Sequence, residues 1–244
     1  MNAYVQSVFF NDTNSNAKKQ LFFAAFFPCF TLLALGIDSV AFKEMYFDGR
    51  QVTNVISIIY FSFFFWFSNS YLRKLMFIMV FLSYIGELIF CNLLEMYHYR
   101  TAVIPLYVPF GHAIVYASGY VYACTKWAVD NDNLLKKYFA IAFSVLFLSV
   151  GIFLNDMFSL LFGALFFLLL KRKKWQNVYY FIAICVVFIE LAGTFFQCWK
   201  WVPKTFGVIA ASNPPMGAVF LYAGGDVLLV KITSFWKPKK TDNF

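Results

Sequence analysis

Two glutamates stand inside apolar runs of this chain, and the same order of residue types follows each of them. Glu87 is followed by Tyr97 and Tyr99 and then Pro109; Glu190 is followed by Trp199 and Trp201 and then Pro215. The prolines open PFGHAIVYASG at 109–119 and PMGAVFLYAGG at 215–225, which share five of eleven positions without a gap, Tyr116 and Tyr222 among them. An ionisable group within hydrocarbon is costly and marks a functional position by default. Glu87 and Glu190 are therefore the candidate acid–base groups, with His112 as a third. In the other copy Ala218 stands where His112 does, which suits a site with one-sided chemistry. The competing structural reading is that each glutamate is neutral and bonds a neighbouring helix as glue.

Helical spacing places Thr194, Gln197 and Trp201 on the face of Glu190, and Cys91, Leu94 and His98 on the face of Glu87. The pairs Tyr97/Tyr99 and Trp199/Trp201 fit either an aromatic belt at the membrane interface or a stacking surface for an unsaturated ligand. Asn213, before the double proline, would orient a ligand or cap a helix. Asp226 sits toward the cytoplasmic half of the last apolar segment, and Asp38 near an outer end reads as structural. The expected substrate-binding set is Tyr97, Tyr99, Tyr116, Thr194, Gln197, Trp199, Trp201, Asn213, Tyr222 and Asp226.

The elements that must position these groups are set by composition. The chain has 244 residues, 61% of them hydrophobic, 23% aromatic and 13% charged, more apolar side chain than a soluble domain could bury. It reads as one all-α polytopic membrane bundle, residues 1–244, with no soluble domain. A span needs about 20 apolar residues, and the runs near 21–42, 52–70, 73–94, 106–128, 138–154, 157–170, 177–199 and 214–235 make eight candidate spans. Asn155-Asp156 divides the fifth from the sixth, since 138–170 as one helix would reach about 50 Å, well beyond a bilayer core.

Charge supports that count: eight spans place fifteen Lys and Arg on one side, including Lys171, Arg172, Lys173 and Lys174, and five on the other. Both termini, the segment 1–20 and the basic tail 236–244, are then cytoplasmic, and the protein is expected in the inner membrane. Even numbers of spans per unit make 21–128 and 138–235 parallel 4+4 repeats about an axis along the membrane normal. Pro109 and Pro215 would open the fourth and eighth segments, leaving 101–108 and 202–213 as irregular linkers.

The five cysteines form no CxxC pair and read as buried thiols. The basic residues lie in loops, where they orient the chain in the bilayer rather than bind nucleic acid. No phosphate-binding loop, nucleophile elbow or histidine box is present, so no metal or other cofactor is implied. The partners expected are the bilayer and a hydrophobic small molecule or lipid; the sequence is silent on oligomeric state.

The order Glu190, Trp199-x-Trp201-x-Pro203, Gly207 and Pro214-Pro215 resembles the repeated unit of the small membrane lycopene cyclases and carotenoid hydratases, and Glu87, Tyr97, Tyr99 and Pro109 echo it. The cyclase-type unit carries paired acids after its proline, where this chain has Met216-Gly217 and Phe110-Gly111. The resemblance thus implies a membrane scaffold that handles isoprenoids, not a cyclase as such. Three functions remain open: a membrane enzyme acting on a polyisoprenoid or other lipid, a small proton- or cation-coupled transporter, and a non-catalytic assembly partner.

Overall fold

The computed structural model describes residues 15–101 and 103–235. The terminal stretches 1–14 and 236–244, which hold most of the expected cytoplasmic segments, lie outside the described residues. The helices are α1 (Ser15–Ile37), α2 (Val40–Met45), α3 (Arg50–Phe67), α4 (Ser70–Glu87), α5 (Tyr107–Ala123), α6 (Lys126–Asp130), α7 (Asp132–Phe153), α8 (Met157–Lys171), α9 (Gln176–Phe195) and α10 (Val219–Phe235). A π-helical stretch, Leu88–Leu93, continues α4, and a 3-10 turn, Met216–Ala218, leads into α10. Two short antiparallel ribbons complete the fold: β1 (Tyr97–Tyr99) with β2 (Trp199–Trp201), and β3 (Lys204–Thr205) with β4 (Ile209–Ala210). The chain is a helical bundle.

Five helices among the described residues are long and apolar enough to cross a membrane: Asn16–Ile37, Ser70–Leu93, Asp132–Phe153, Gln176–Phe195 and Met216–Ser234. α5 and α8 have 17 and 15 residues, and the 18 residues of α3 include Arg50, Gln51 and Asn54. The helix surfaces are arranged for lipid. α3 buries Arg50, Thr53, Asn54 and Ser57 and exposes Val52, Val55, Ile59, Phe63 and Trp66. That is the reverse of a helix on a water-soluble core.

Local signals set the ends. Asn69 accepts from the Leu72 amide at 2.8 Å and starts α4, and Asp156 accepts from the Ser159 amide at 2.8 Å and starts α8. Asn155 takes a left-handed φ of 53°, so α7 and α8 divide at Asn155-Asp156. Several segment ends differ from the sequence reading. The first helix runs Ser15–Ile37 and not 21–42, its end set where Asp38 turns inward. The helix of the fourth segment stops at Ala123 and not 128, and that of the fifth begins at Asp132 and not 138. That of the seventh stops at Phe195 and not 199, because Trp199 enters a strand.

α5 is the hub, packed against α1, α3, α4 and α9 and buried on most of its circumference. Its polar edge repairs α1: Pro28 in α1 has no amide to give the Ala24 carbonyl, and the Tyr122 hydroxyl bonds that carbonyl at 2.7 Å. The first turn of α5 is held from α3, where Asn54 Oδ1 accepts from the Tyr107 amide at 2.9 Å. Pro109 lies within that first turn, whereas His112 is one turn farther on.

The crossing of α5 with α9 depends on Gly119, since a Cβ there would lie 2.6 Å from the Ile182 Cα. Close approach at small residues is the usual way membrane helices gain packing contact. Gly119→Ala should cost about 1–3 kcal/mol through overpacking and lower the unfolding midpoint of the purified protein. Gly224→Ala, where nothing lies within 4 Å of the added methyl, should leave that midpoint unchanged or raise it.

Candidate functional site

Glu87 ends α4, Glu190 lies more than a turn before the end of α9, and each meets its own aromatic-x-aromatic strand. Glu87 is 4% exposed, and its Oε2 accepts from the hydroxyls of Tyr97 at 2.9 Å and Tyr99 at 2.7 Å. Glu190 is 5% exposed, and its Oε2 accepts from the indole N–H groups of Trp199 and Trp201, both at 3.0 Å. The other oxygen of each acid faces the helix whose start the proline marks. Glu87 Oε1 lies 3.0 Å from His112 Nε2, and Glu190 Oε1 accepts from the Tyr222 hydroxyl at 3.0 Å. His112 and Tyr222 stack, with ring centroids 4.8 Å apart and planes 13° from parallel. One continuous set of side chains therefore joins the two acids.

The strands do this because their side chains alternate with a period of two, so residues i and i+2 point the same way. β1 and β2 pair with Tyr97 opposite Trp201, His98 opposite Lys200 and Tyr99 opposite Trp199, a register symmetric about its middle pair. A left-handed residue comes two positions before each strand, Glu95 with φ 47° and Gln197 with φ 57°, and turns the chain from helix to ribbon. Tyr97 follows Glu87 by ten positions and Trp199 follows Glu190 by nine. The π-helical turn at Leu88–Leu93 takes up the extra residue, so both strands arrive in register. Gly193 leaves α9 bare where the Trp199 indole lies across it; a side chain there would collide with the ring.

An ionic knot anchors the ribbon. Asp38 is fully buried and accepts from Arg50 Nε and Nη2 at 3.0 Å each, from Arg100 Nη2 at 2.8 Å and from the Tyr107 hydroxyl at 2.8 Å. It thereby joins the end of α1, the start of α3, the end of β1 and the start of α5. Arg50 also bonds Thr101. Arg100 reaches outward to Asp48 Oδ1 at 2.6 Å, and its amide donates to the Cys198 carbonyl at 2.8 Å. Its guanidinium pulls the Asp48 carboxyl down from the ordinary 3.8 to about 2.

Both acids open on a chamber of about 360 Å³ between α4, α5 and α10. Its walls are mostly apolar, with Met79, Leu82, Ile85, Ile182, Phe220 and Leu221 among them, and the rings of Tyr97, His112, Trp201 and Tyr222 at the glutamate end. Tyr116 and Asp226 lie toward the other end. A smaller cavity of about 60 Å³ on the α1 and α3 side touches the same glutamates and the same stacked pair.

The structure thus brings together Glu87, Glu190, His112, Tyr97, Tyr99, Trp199, Trp201, Tyr116, Tyr222 and Asp226. Three expected residues fall elsewhere. Thr194 gives its hydroxyl to the Glu190 main-chain carbonyl at 2.8 Å, a bond within its own helix. Gln197 is exposed on the outer side of the ribbon, because α9 has already ended. Asn213 neither caps a helix nor faces the chamber; its Oδ1 accepts from the Trp201 amide at 2.9 Å and so holds β2. Nor do the aromatic pairs form a belt, since Tyr97, Trp199 and Trp201 are 8%, 7% and 3% exposed. Asp226, at 4%, is buried within the protein rather than interfacial. His98 is exposed on β1, off the face of Glu87. Sequence reasoning missed Arg50, Arg100 and Tyr107, for which the available signal was an uncompensated Asp38 close to several basic positions.

No protein family, curated protein or solved structure matches the chain.

The Asp48–Arg100 pair gives a pH signature. With the folded carboxyl held near 2 against 3.8 when free, its contribution is full above about pH 4 and is lost as pH falls toward 2. The difference in unfolding midpoint between wild type and Asp48→Asn should be constant at higher pH and shrink across that acid window, as followed by thermal unfolding in detergent.

Proposed function

We infer that the protein is an integral membrane enzyme that performs acid–base chemistry on a lipid, and that its substrate class is polyisoprenoid. The observation that carries this reading is the opening of two buried, donor-saturated carboxylates into one apolar chamber. Hydrogen-bond inventory assigns the roles. An indole only donates, so Glu190 Oε2, between Trp199 and Trp201, is fixed as an acceptor. Any proton that Glu190 takes up is held at Oε1, against Tyr222. At Glu87 the two tyrosine hydroxyls occupy Oε2, and the proton lies on the axis between Oε1 and His112 Nε2.

The two proton-handling oxygens thus converge on the stacked His112 and Tyr222. Imidazole holds and releases a proton readily, so the Glu87–His112 pair is the proposed acid and Glu190 the proposed base. The pair gives a proton to one carbon of a C=C bond, the other carbon becomes cationic, and Glu190 removes a neighbouring proton as a new C=C forms. Charge and electrons balance without an oxidant. The faces of Tyr97, Trp201 and Tyr222 offer the negative quadrupole that favours the cation. The likeness of the glutamate, aromatic-x-aromatic and proline order to carotenoid-modifying membrane proteins supports the isoprenoid assignment.

The same reading includes eight spans, a parallel 4+4 repeat, cytoplasmic termini and residence in the inner membrane. It is supported by the two-fold symmetric register of β1 with β2, the two like-built acid centres and the distribution of Lys and Arg. A reporter fused after residues 171–174 should be cytoplasmic; a reporter found on the far side would reject this topology.

Cells expressing wild type should contain an isoprenoid that is consumed or formed only with it, as read by mass spectrometry of extracted lipids. Glu87→Gln with Glu190→Gln, matched for membrane expression, should abolish that change. An unchanged profile, together with proton-coupled uptake in proteoliposomes, would favour a transporter in place of an enzyme.

A further inference from the structure

The far end of the chamber holds a polar group for which the proposed proton transfer has no use. Asp226 is 4% exposed, its Oδ2 has no hydrogen-bond partner among the described residues, and it lines the chamber of about 360 Å³. No described Lys, Arg or His pairs with it within salt-bridge distance. A buried carboxyl oxygen without a partner is a cost that native proteins rarely leave uncompensated. Among the described residues every other carboxylate buried to this degree is saturated: Asp38 by two arginines and a tyrosine, Asp156 by two serines, Glu87 and Glu190 by their aromatic sets. Asp226 is the exception, and it faces the space where a substrate would lie.

Its surroundings define the ligand. Gly224 and Gly225 precede it, and nothing lies within 4 Å of where a side chain on either would start, so α10 offers bare backbone beside the carboxyl. Tyr222, the donor to Glu190, lies four residues earlier on the same face, about 6 Å along the helix axis. The remaining walls on the α4 side, Met79, Leu82 and Ile85, are apolar, and the one hydroxyl there, Ser83, is already engaged with the Val80 and Pro109 carbonyls. An ammonium group brings three donors, whereas Asp226 Oδ2 is the one buried side-chain oxygen lining the chamber that has no partner among the described residues. A hydroxyl brings one donor.

We propose that Asp226 is the polar anchor of the chamber and that the ligand is a hydroxyl-bearing lipid, whose O–H donates to Asp226 while its carbon skeleton reaches the Glu87 and Glu190 end. This rests on the reading of the chamber as a lipid site and adds to it the requirement for an alcohol. The hydroxyl fixes the depth of the chain, so Asp226 is a binding and positioning residue that takes no part in proton transfer.

The test is binding of a tritiated linear prenyl alcohol to the purified full chain in detergent, displaced either by the unlabelled alcohol or by the prenyl hydrocarbon of the same skeleton. In the wild type the alcohol should compete about tenfold better than the hydrocarbon, the scale of one hydrogen bond. Asp226→Leu should abolish that preference and leave the hydrocarbon's affinity unchanged. Because an unpartnered acid is removed, it should also leave the unfolding midpoint of the ligand-free protein unchanged or higher. Asp226→Asn, which keeps the shape and a neutral acceptor, should retain part of the preference. An alcohol preference that survives Asp226→Leu, its absence from wild type, or a lowered midpoint in both variants would overturn the anchor while leaving the lipid chamber intact. Failure of both alcohol and hydrocarbon to bind wild type would overturn the chamber reading and the anchor together.

Discussion

A carboxylate placed among apolar helices must have its oxygens filled by protein donors, and much of this structure follows from meeting that demand twice. Water is scarce at such depth, and an unfilled oxygen costs as much as a lost hydrogen bond or more. A helix cannot supply two neighbouring donors to one oxygen from residues two apart, because side chains so spaced point to different sides. A strand can. The ribbon of β1 and β2 is accordingly not a decoration on the bundle. It is the local structure that lets Tyr97 with Tyr99, and Trp199 with Trp201, reach one oxygen of each glutamate.

That solution creates a second demand, because a three-residue strand pair has little stability of its own. The knot at Asp38 meets it by joining Arg100, immediately after β1, to the ends of α1 and α3 and to the start of α5. Asn213 on the Trp201 amide does the same for β2. Arg50 and Arg100 together neutralise Asp38, and the outward contact with Asp48 uses the remaining reach of Arg100. Such a buried ionic cluster is worth more as a fixer of geometry than as a source of net stability. Removing one member would leave the others uncompensated, which is why this cluster holds position so firmly.

The residue types of the site were legible in the sequence and their local geometry was only partly so. Glu87, Glu190, His112, Tyr222 and Asp226 stood out because ionisable or repeated polar residues are conspicuous in apolar runs. Gln197 was drawn in by extending a period of 3.6 beyond Phe195, where α9 has ended, whereas Thr194 is still helical but gives its hydroxyl to the Glu190 carbonyl of its own helix. The i, i+2 spacing of the aromatic pairs was itself the signal for a strand, but a belt at the membrane surface explains aromatic residues near helix ends equally well. Arg50 and Tyr107 were invisible for another reason: their role is set by Asp38, which is 12 residues from one and 69 from the other. The helix positions themselves followed from apolar runs and caps, with differences of several residues at some ends, among them where Asp38 and Trp199 turn the chain inward.

The differences between the two centres say more about direction than their likeness does. Both acids fix Oε2 with two aromatic donors and leave Oε1 to a side chain from the following helix, yet one receives imidazole and the other phenol. Imidazole can give or take a proton with either nitrogen, whereas a phenol flanked by apolar walls is far better as a donor of hydrogen bonds than of protons. Ala218 in the place corresponding to His112 removes the matching option from the second centre. Two equal centres facing one chamber would have no preferred direction for moving a proton across a bound substrate. With His112 on one side only, the Glu87 centre alone has an imidazole beside its acid, and the stacked ring of Tyr222 joins that imidazole to Glu190. In the proposed reaction this asymmetry would set a sense of proton transfer, from Glu87 and His112 toward Glu190, on a scaffold whose ribbon is otherwise two-fold symmetric.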